Sequence, residues 1–195
     1  MTEPAPPQPS FQITRVAVIG AGVAGRSFAL ACATAGFKVV LEDVMPAKLR
    51  HAEAEYAYAN LRGTLGELQL ASTVEDAVRD ADIAVDFVPD ELESKLEIFS
   101  MIDRMAPPKT ILCTPSYALS ITDLASCVYR PDRCFAIRGD LTDKTAEIRL
   151  LHPANACKLM LAETEDFFRA LGVKVITAPD PDVPILMKNS LDSNP

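Results

Sequence analysis

The sequence predicts a doubly wound α/β fold whose mainly parallel sheet ends in a C-terminal antiparallel strand pair. Three observations carry this. From Arg15 to about Ser120, short apolar runs alternate with longer helical stretches, and parallel strands need helical crossovers of that kind. The first run, VAVI, leads directly into Gly20, Gly22 and Gly25. Beyond Ser120 the runs CFAIR and AEIRLL are joined by DLTDKT, too short for a crossover, so they should be antiparallel neighbours.

The elements follow in order. VAVI (16–19) is a strand, 23–35 a helix and KVVLE (38–42) a second strand. A helix over about 46–62 carries His51, Tyr56 and Tyr58, and ELQLAS gives the third strand. In TVEDAVRDA, Thr73 with Asp76 three residues on resembles a capping box with Asp in place of Glu, and opens a short helix. IAVDFV (83–88) is the fourth strand; the helix over 91–105 is stopped by Pro107 and Pro108; TILC (110–113) is the fifth strand. After the antiparallel pair, a helix over about 154–171 ends at Gly172, and VKVITA closes the run.

Composition fits one globular domain. The chain has 195 residues, 49% hydrophobic and 24% charged, enough to bury roughly 70% of its unfolded surface. Residues 1–12 are expected to be a flexible tail, with four prolines in MTEPAPPQPS and no apolar periodicity, and 13–195 a single domain. The tail lacks the basic start and apolar stretch of a signal peptide, and no segment has the ~20 apolar residues of a membrane span. A net charge of -8 argues against nucleic acid or anionic membrane as the main partner, while leaving room for a local phosphate site. Five cysteines (Cys32, Cys113, Cys127, Cys134, Cys157), odd in number and without C-x-x-C spacing, read as reduced thiols of a cytoplasmic protein. His51 and His152 are the only histidines and have no paired ligand spacing, so no metal site is expected.

VAVIGAGVAG places G-x-G-x-x-G after a strand and at the opening of a helix, the arrangement of a Rossmann-type dinucleotide site. Gly20 permits the tight turn, Gly22 lets backbone N–H groups approach a pyrophosphate, and Gly25 lets the helix pack on the strand. The positive end of the helix then faces the phosphates. Glu42 and Asp43 lie 17 and 18 residues beyond Gly25, where an acid should hold the adenosine ribose. No arginine immediately follows them, which favours NAD over NADP. The same stretch suits an FAD site, with Glu42 as the ribose acid, and such a pattern also arises as a glycine-rich turn in an α/β domain without a ligand.

With the glycine motif, the stretches DADIAVDFVPDELESKLEIFSMIDRMAPPKTIL, ALSITDLA and RPDR resemble the NAD-binding domain of the 3-hydroxyacyl-CoA dehydrogenase family, from about Arg15 to Arg133 and more loosely to Asn189. The resemblance implies NAD as cofactor. It implies Asp43 on the adenosine ribose, Asp90 where the family has a glutamate near the nicotinamide ribose, and Lys95 as the family's lysine in the same helix. Read from the residues alone, Lys95 sits at the mouth of the crevice outside the strand ends. The plainer reading of Asp90 and Lys95 is a helix-start acid and a solvated lysine.

The family exchanges a hydride between NAD and a 3-hydroxy or 3-keto group, with a histidine as acid/base, a glutamate orienting it, and a serine and an asparagine on the substrate oxygen. A histidine suits that task because its ordinary pKa lies near neutrality. This sequence departs from the pattern. The family's N-T-S-S falls on Pro115, Ser116, Tyr117 and Ala118, leaving Ser116 one position off. The histidine position falls on Gly139 and the asparagine on Thr142, with Glu147 the acid nearest the family glutamate. A rival register gives the histidine role to His152, since HPAN (152–155) reproduces H-x-x-N, but it requires an inserted hairpin and leaves too few residues for the second strand. In the favoured register His152 merely opens a helix. DPDVPILMKN sets Asp182, Pro184 and Asn189 at the spacing of the family's D-x-P-G-F-x-x-N, so Asn189 is a candidate for the substrate-facing asparagine or a plain loop residue.

The family's longer helical insertion after the second strand, which helps bind coenzyme A, and its following helical domain have no counterpart in the sequence. The expected function is NAD(H) binding with a degenerate or repurposed catalytic site. The alternatives are an active NAD-dependent oxidoreductase on a small 3-hydroxy or 3-keto substrate, using Ser116, His152 and Asn189, and a non-catalytic scaffold acting through a protein partner. Expected partners are thus the dinucleotide, a small-molecule substrate, and a second copy or a partner chain supplying the helical domain.

Overall fold

A computed structural model describes residues 12–141 and 147–181. Eight strands form one sheet in the order β3-β2-β1-β4-β5-β6-β7-β8. They are β1 (Arg15–Ile19), β2 (Lys38–Glu42), β3 (Leu68–Ala71), β4 (Ile83–Asp86), β5 (Ile111–Pro115), β6 (Cys134–Arg138), β7 (Glu147–His152) and β8 (Lys174–Pro179). Among the described residues six α-helices join them: α1 (Val23–Thr34), α2 (Pro46–Ala59), α3 (Val74–Val78), α4 (Leu92–Met105), α5 (Ile121–Ala125) and α6 (Lys158–Ala170).

All pairings are parallel except β6 with β7, so the doubly wound sheet and its antiparallel pair are as expected. The central strands are apolar along their length because helices cover both faces; all of Ile83–Asp86 is buried. One face packs under α1, α2 and α6, through Phe28, Leu49, Phe167 and Phe168. The other packs under α3, α4 and α5, through Val74, Val78, Phe99, Ile102 and Leu124. Phe167 ties α6 to the strand–helix hairpin at the chain's start, stacking edge-on against Phe37 with centroids 5.0 Å apart. The Thr73 hydroxyl accepts the Asp76 N–H, the predicted start of α3.

The segment after β7 differs from expectation. His152 does not open a helix: it is the last residue of β7, paired with Pro179, and its carbonyl accepts the Asp180 N–H. Pro153 lacks the N–H to continue the ladder, a turn closes from Ala156 N–H to Pro153 O, and α6 starts only at Lys158. Of the cysteines, Cys32, Cys113 and Cys134 are buried and free, and burial pushes their thiols up; Cys127 is exposed and Cys157 half-buried. Among the described residues no helix is long and apolar enough to cross a membrane.

The carboxyl ends of β1, β2, β4, β5 and β6 open on one edge of the sheet, where ligands of such folds bind. Because β7 runs the other way, its first residue, Glu147, reaches this edge and its last, His152, points away from it.

Candidate functional site

The crevice begins at the loop between β1 and α1. Gly20 has φ +101, and its N–H donates to Glu42 O at 2.8 Å, which pins the turn to β2. A Cβ at Gly25 would lie 1.9 Å from Gly20 O, so only glycine lets α1 seat there. A Cβ at Gly22 would meet nothing within 4 Å among the described residues. Gly22 is also the N-cap of α1, without a side-chain cap or an acid in the first turn. Backbone donors and the positive helix end therefore face open space, a cradle that suits a pyrophosphate. The Arg26 guanidinium braces the loop, donating to Ala21 O at 3.0 Å and Glu55 at 3.1 Å.

Asp43 follows β2 and is buried. Its Oδ1 accepts the Met45 N–H at 2.8 Å; its Oδ2 accepts the Ala21 N–H at 2.9 Å and the Lys48 ammonium at 3.1 Å. Burial alone would raise this carboxyl, but these three donors outweigh it and hold Asp43 below its ordinary value, ionised at neutral pH. Burial and then the charge of Asp43 push the neighbouring Glu42 up, against the pull of Lys48. Val44 and Met45 stand exposed beside this acid and offer an apolar wall for a base.

Asp86 and Lys95 form the floor of the crevice. Both side chains are 0% exposed, with Nζ and Oδ1 2.7 Å apart. Lys95 is neither a solvated lysine nor a side chain standing in the crevice mouth: it ties α4 to the end of β4. Burial pushes the Asp86 carboxyl up, against the charge and hydrogen bond of Lys95 and the hydrogen bonds of Thr114 and Val88. Asp90 stays exposed at the strand end, and its Oδ2 accepts the Tyr117 N–H at 2.9 Å.

The other half of the crevice is built by β5, β6 and β7. Ser116 is buried; its hydroxyl accepts the Leu119 N–H at 3.0 Å, which makes it a turn residue below the surface. Tyr117 is 68% exposed, and its hydroxyl donates to Gly139 O at 3.1 Å. Arg138 braces the same loop from below, donating to Ser116 O at 3.3 Å. Gly139 has φ +130, and a Cβ there would lie 2.9 Å from Glu147 O and 3.1 Å from Ile148 Cα. A side chain at Gly139 would therefore strain the backbone and crowd β7. The Glu147 carboxylate is held by Lys174 at 2.9 Å.

The sequence candidates do not gather into one cluster. Gly20, Gly22, Gly25 and Asp43 meet around one cradle, and Asp90, Ser116, Tyr117, Gly139 and Glu147 share the crevice edge. His152 does not join them. Leu151 pairs with Ala136, so His152 lies a further residue down the sheet, roughly 13 Å from Gly139 at ~3.3 Å per residue. Its Nδ1 rests against Pro153 O at 3.0 Å. Thr142 and Asn189 lie outside the described residues. Lys48, Asp86 and Tyr117 were not singled out by their spacing. A cation five residues past the ribose acid and an acid at the end of a wholly apolar strand were the available signals.

A family model described as 3-hydroxyacyl-CoA dehydrogenase, NAD binding domain, matches residues 15–138. The chain belongs to this family. NAD is the dinucleotide of such a domain, which sets FAD aside. The chain is 30% identical over 136 residues to the probable 3-hydroxybutyryl-CoA dehydrogenase of Bacillus subtilis, covering 63% of this chain and 47% of that protein. It is 23% identical over 188 residues to the 5-formyl-3-hydroxy-2-methylpyridine 4-carboxylate 5-dehydrogenase of Mesorhizobium japonicum, covering 91% and 60%. The fold matches (S)-3-hydroxybutyryl-CoA dehydrogenase from Ralstonia eutropha with a TM-score of 0.76 at 23% identity, covering 87% of this chain and 64% of that one. The chain thus spans 47% and 60% of the lengths of these two curated relatives.

Proposed function

We propose that this NAD-binding domain holds NAD(H) beside a catalytic site that is degenerate or repurposed. The carrying observation is Gly139, whose φ of +130 and crowding by β7 disfavour a side chain at the position assigned to the acid/base. Losing a positioned acid/base costs about 10²- to 10⁴-fold in rate. The residues on the dinucleotide side keep complete roles. The Gly22 turn and the α1 N-terminus receive the pyrophosphate, Asp43 the adenosine ribose, and Asp90 lies at the nicotinamide end. The bound dinucleotide supplies hydride chemistry, and in this reading the chain uses it for regulation, assembly or a reaction unlike that of the 3-hydroxyacyl enzymes. Reduced buried thiols and NAD(H) both suit the cytoplasm.

Thermal shift with NADH, NADPH and FAD is the test. NADH should raise the melting temperature, because a ligand of the native state must stabilise it. If no dinucleotide does so, the chain is instead a scaffold acting through a protein partner.

A second reading, an active oxidoreductase on a small 3-hydroxy or 3-keto substrate, is favoured by one observation. Tyr117 brings a phenol to within 3.1 Å of Gly139 O, over the place the histidine would occupy. NADH consumption with acetoacetyl-CoA and simple keto acids separates the readings: turnover supports the second, and its absence supports the first.

A further inference from the structure

We infer that Lys48 is a specificity-determining residue of the dinucleotide site: it competes with the adenosine ribose for Asp43, and once displaced it stands where a 2′-phosphate would lie. The inference rests on the dinucleotide reading above.

It follows from counting acceptors. A carboxylate offers about four lone-pair directions. Asp43 already accepts from Met45 N–H, Ala21 N–H and the Lys48 ammonium. The two hydroxyls of an adenosine ribose need about two of those directions when both donate to the acid, so one existing donor must leave. The two backbone donors are fixed. Ala21 N–H belongs to the loop held by Gly20 N–H on Glu42 O and by the close seat of Gly25. Met45 N–H belongs to the residue that caps α2, whose carbonyl accepts the Lys48 N–H at 3.0 Å. The Lys48 side chain is 43% exposed and rides on a flexible stem, so it is the donor that gives way.

Two effects of opposite sign follow. Binding NAD(H) must break the Lys48–Asp43 ion pair, so Lys48 weakens that binding. A 2′-phosphate would face the Asp43 carboxylate, with the displaced ammonium as the nearby cation from α2, so Lys48 strengthens NADP(H) binding. The preference for NAD set by the acids is thereby narrowed by a residue outside the motif.

Equilibrium titration of the full chain with NADH and with NADPH, followed by nicotinamide fluorescence, tests this in wild type, Lys48→Met and Lys48→Arg. Methionine keeps the stem and removes the charge; circular dichroism melting confirms that each variant folds. Lys48→Met should bind NADH roughly 2–5-fold tighter and NADPH roughly 3–10-fold weaker, the size expected for one partly exposed charge contact. Lys48→Arg should keep the wild-type ratio. If the two affinities move together, or their ratio stays fixed in Lys48→Met, the inference is overturned and the dinucleotide reading stands. If wild type binds neither nucleotide, the dinucleotide reading fails and this inference with it.

Discussion

Glycine does opposite things at the two ends of the crevice. At the β1–β2 end, Gly22 faces open space, while Gly20 and Gly25 press backbone against backbone so that the open space has a fixed shape. At the β5–β7 end, Gly139 has no open space: β7 has closed over it, and the missing side chain is used up by the packing of Glu147 and Ile148. The first end lacks side chains so that a ligand can enter. The second lacks one so that two strands can meet. A side chain introduced at Gly139 must displace backbone, whereas one introduced at Gly22 need not.

The largest effect should come from the floor that both ends share. Lys95→Met leaves the fully buried Asp86 without its ammonium and should cost about 3–5 kcal/mol in urea denaturation. Adding Asp86→Leu should recover most of that loss, since two apolar groups replace a buried pair at little net cost. If the single variant loses less than about 1 kcal/mol, within the range of an ordinary surface change, the floor is not held by this pair.

The glycines come next. Gly25→Ala must move Gly20 O, and overpacking of that kind costs about 1–3 kcal/mol, read as a lower melting temperature with NADH binding lost. Gly22→Ala should leave the stability within about 0.5 kcal/mol of wild type yet remove the stabilisation by NADH, because its Cβ intrudes only on the ligand's space. Gly139→His tests the other end. It should destabilise by about 1–3 kcal/mol through its left-handed backbone and crowded Cβ, with no gain of NADH-linked reduction. A stable Gly139→His protein that gains turnover would mean that the two ends are alike after all.

The sequence was most legible where backbone spacing decides the outcome. Gly20, Gly22 and Gly25 between strand and helix predict the β1–α1 turn, and the short link from CFAIR to AEIRLL predicts the antiparallel pair; both are observed. It was least legible where a side chain's fate depends on what lies above it. Lys95 reads as a surface lysine on an amphipathic helix, and only the proximity of Asp86 across the strand–helix turn explains its burial. His152, followed by Pro153, reads as the opening of a helix, yet pairing with β8 carries β7 through to it. Gly139 could be found by counting elements, but its crowding by β7 is a cross-strand fact that no local pattern carries.

Acid separates the cradle from the far edge of the sheet. Burial alone would raise Asp82, but Lys109, the Thr14 and Arg15 N–H groups and the Thr14 hydroxyl lower it. Asp43 is lowered in the same sense. A carboxylate depressed in the folded state adds stability above its unfolded pKa and loses it as pH falls through the folded one, so both contributions should fade below about pH 4. Asp82 lies at the opposite end of β4 from the crevice, and its loss should be the same with or without NADH. The share from Asp43 should depend on NADH, and Asp43→Asn should remove that dependence in melts run from neutral to acid pH.

The smallest structural effect should come from Tyr117→Phe. The hydroxyl is exposed and donates to one carbonyl, so its removal should change stability by no more than about 0.5 kcal/mol. Ring and loop stay in place, because Asp90 holds the Tyr117 N–H and Arg138 holds Ser116 O, contacts the substitution does not touch. Any change in function must then come from the phenol itself. If the catalytic end has only closed, the variant binds NADH as wild type does and neither protein consumes it with acetoacetyl-CoA. If Tyr117 has taken over as proton donor to a substrate oxygen, wild type turns over and the variant loses about 10²-fold or more with unchanged NADH affinity. A near-silent change in stability thus decides whether the two ends of the crevice still serve one reaction.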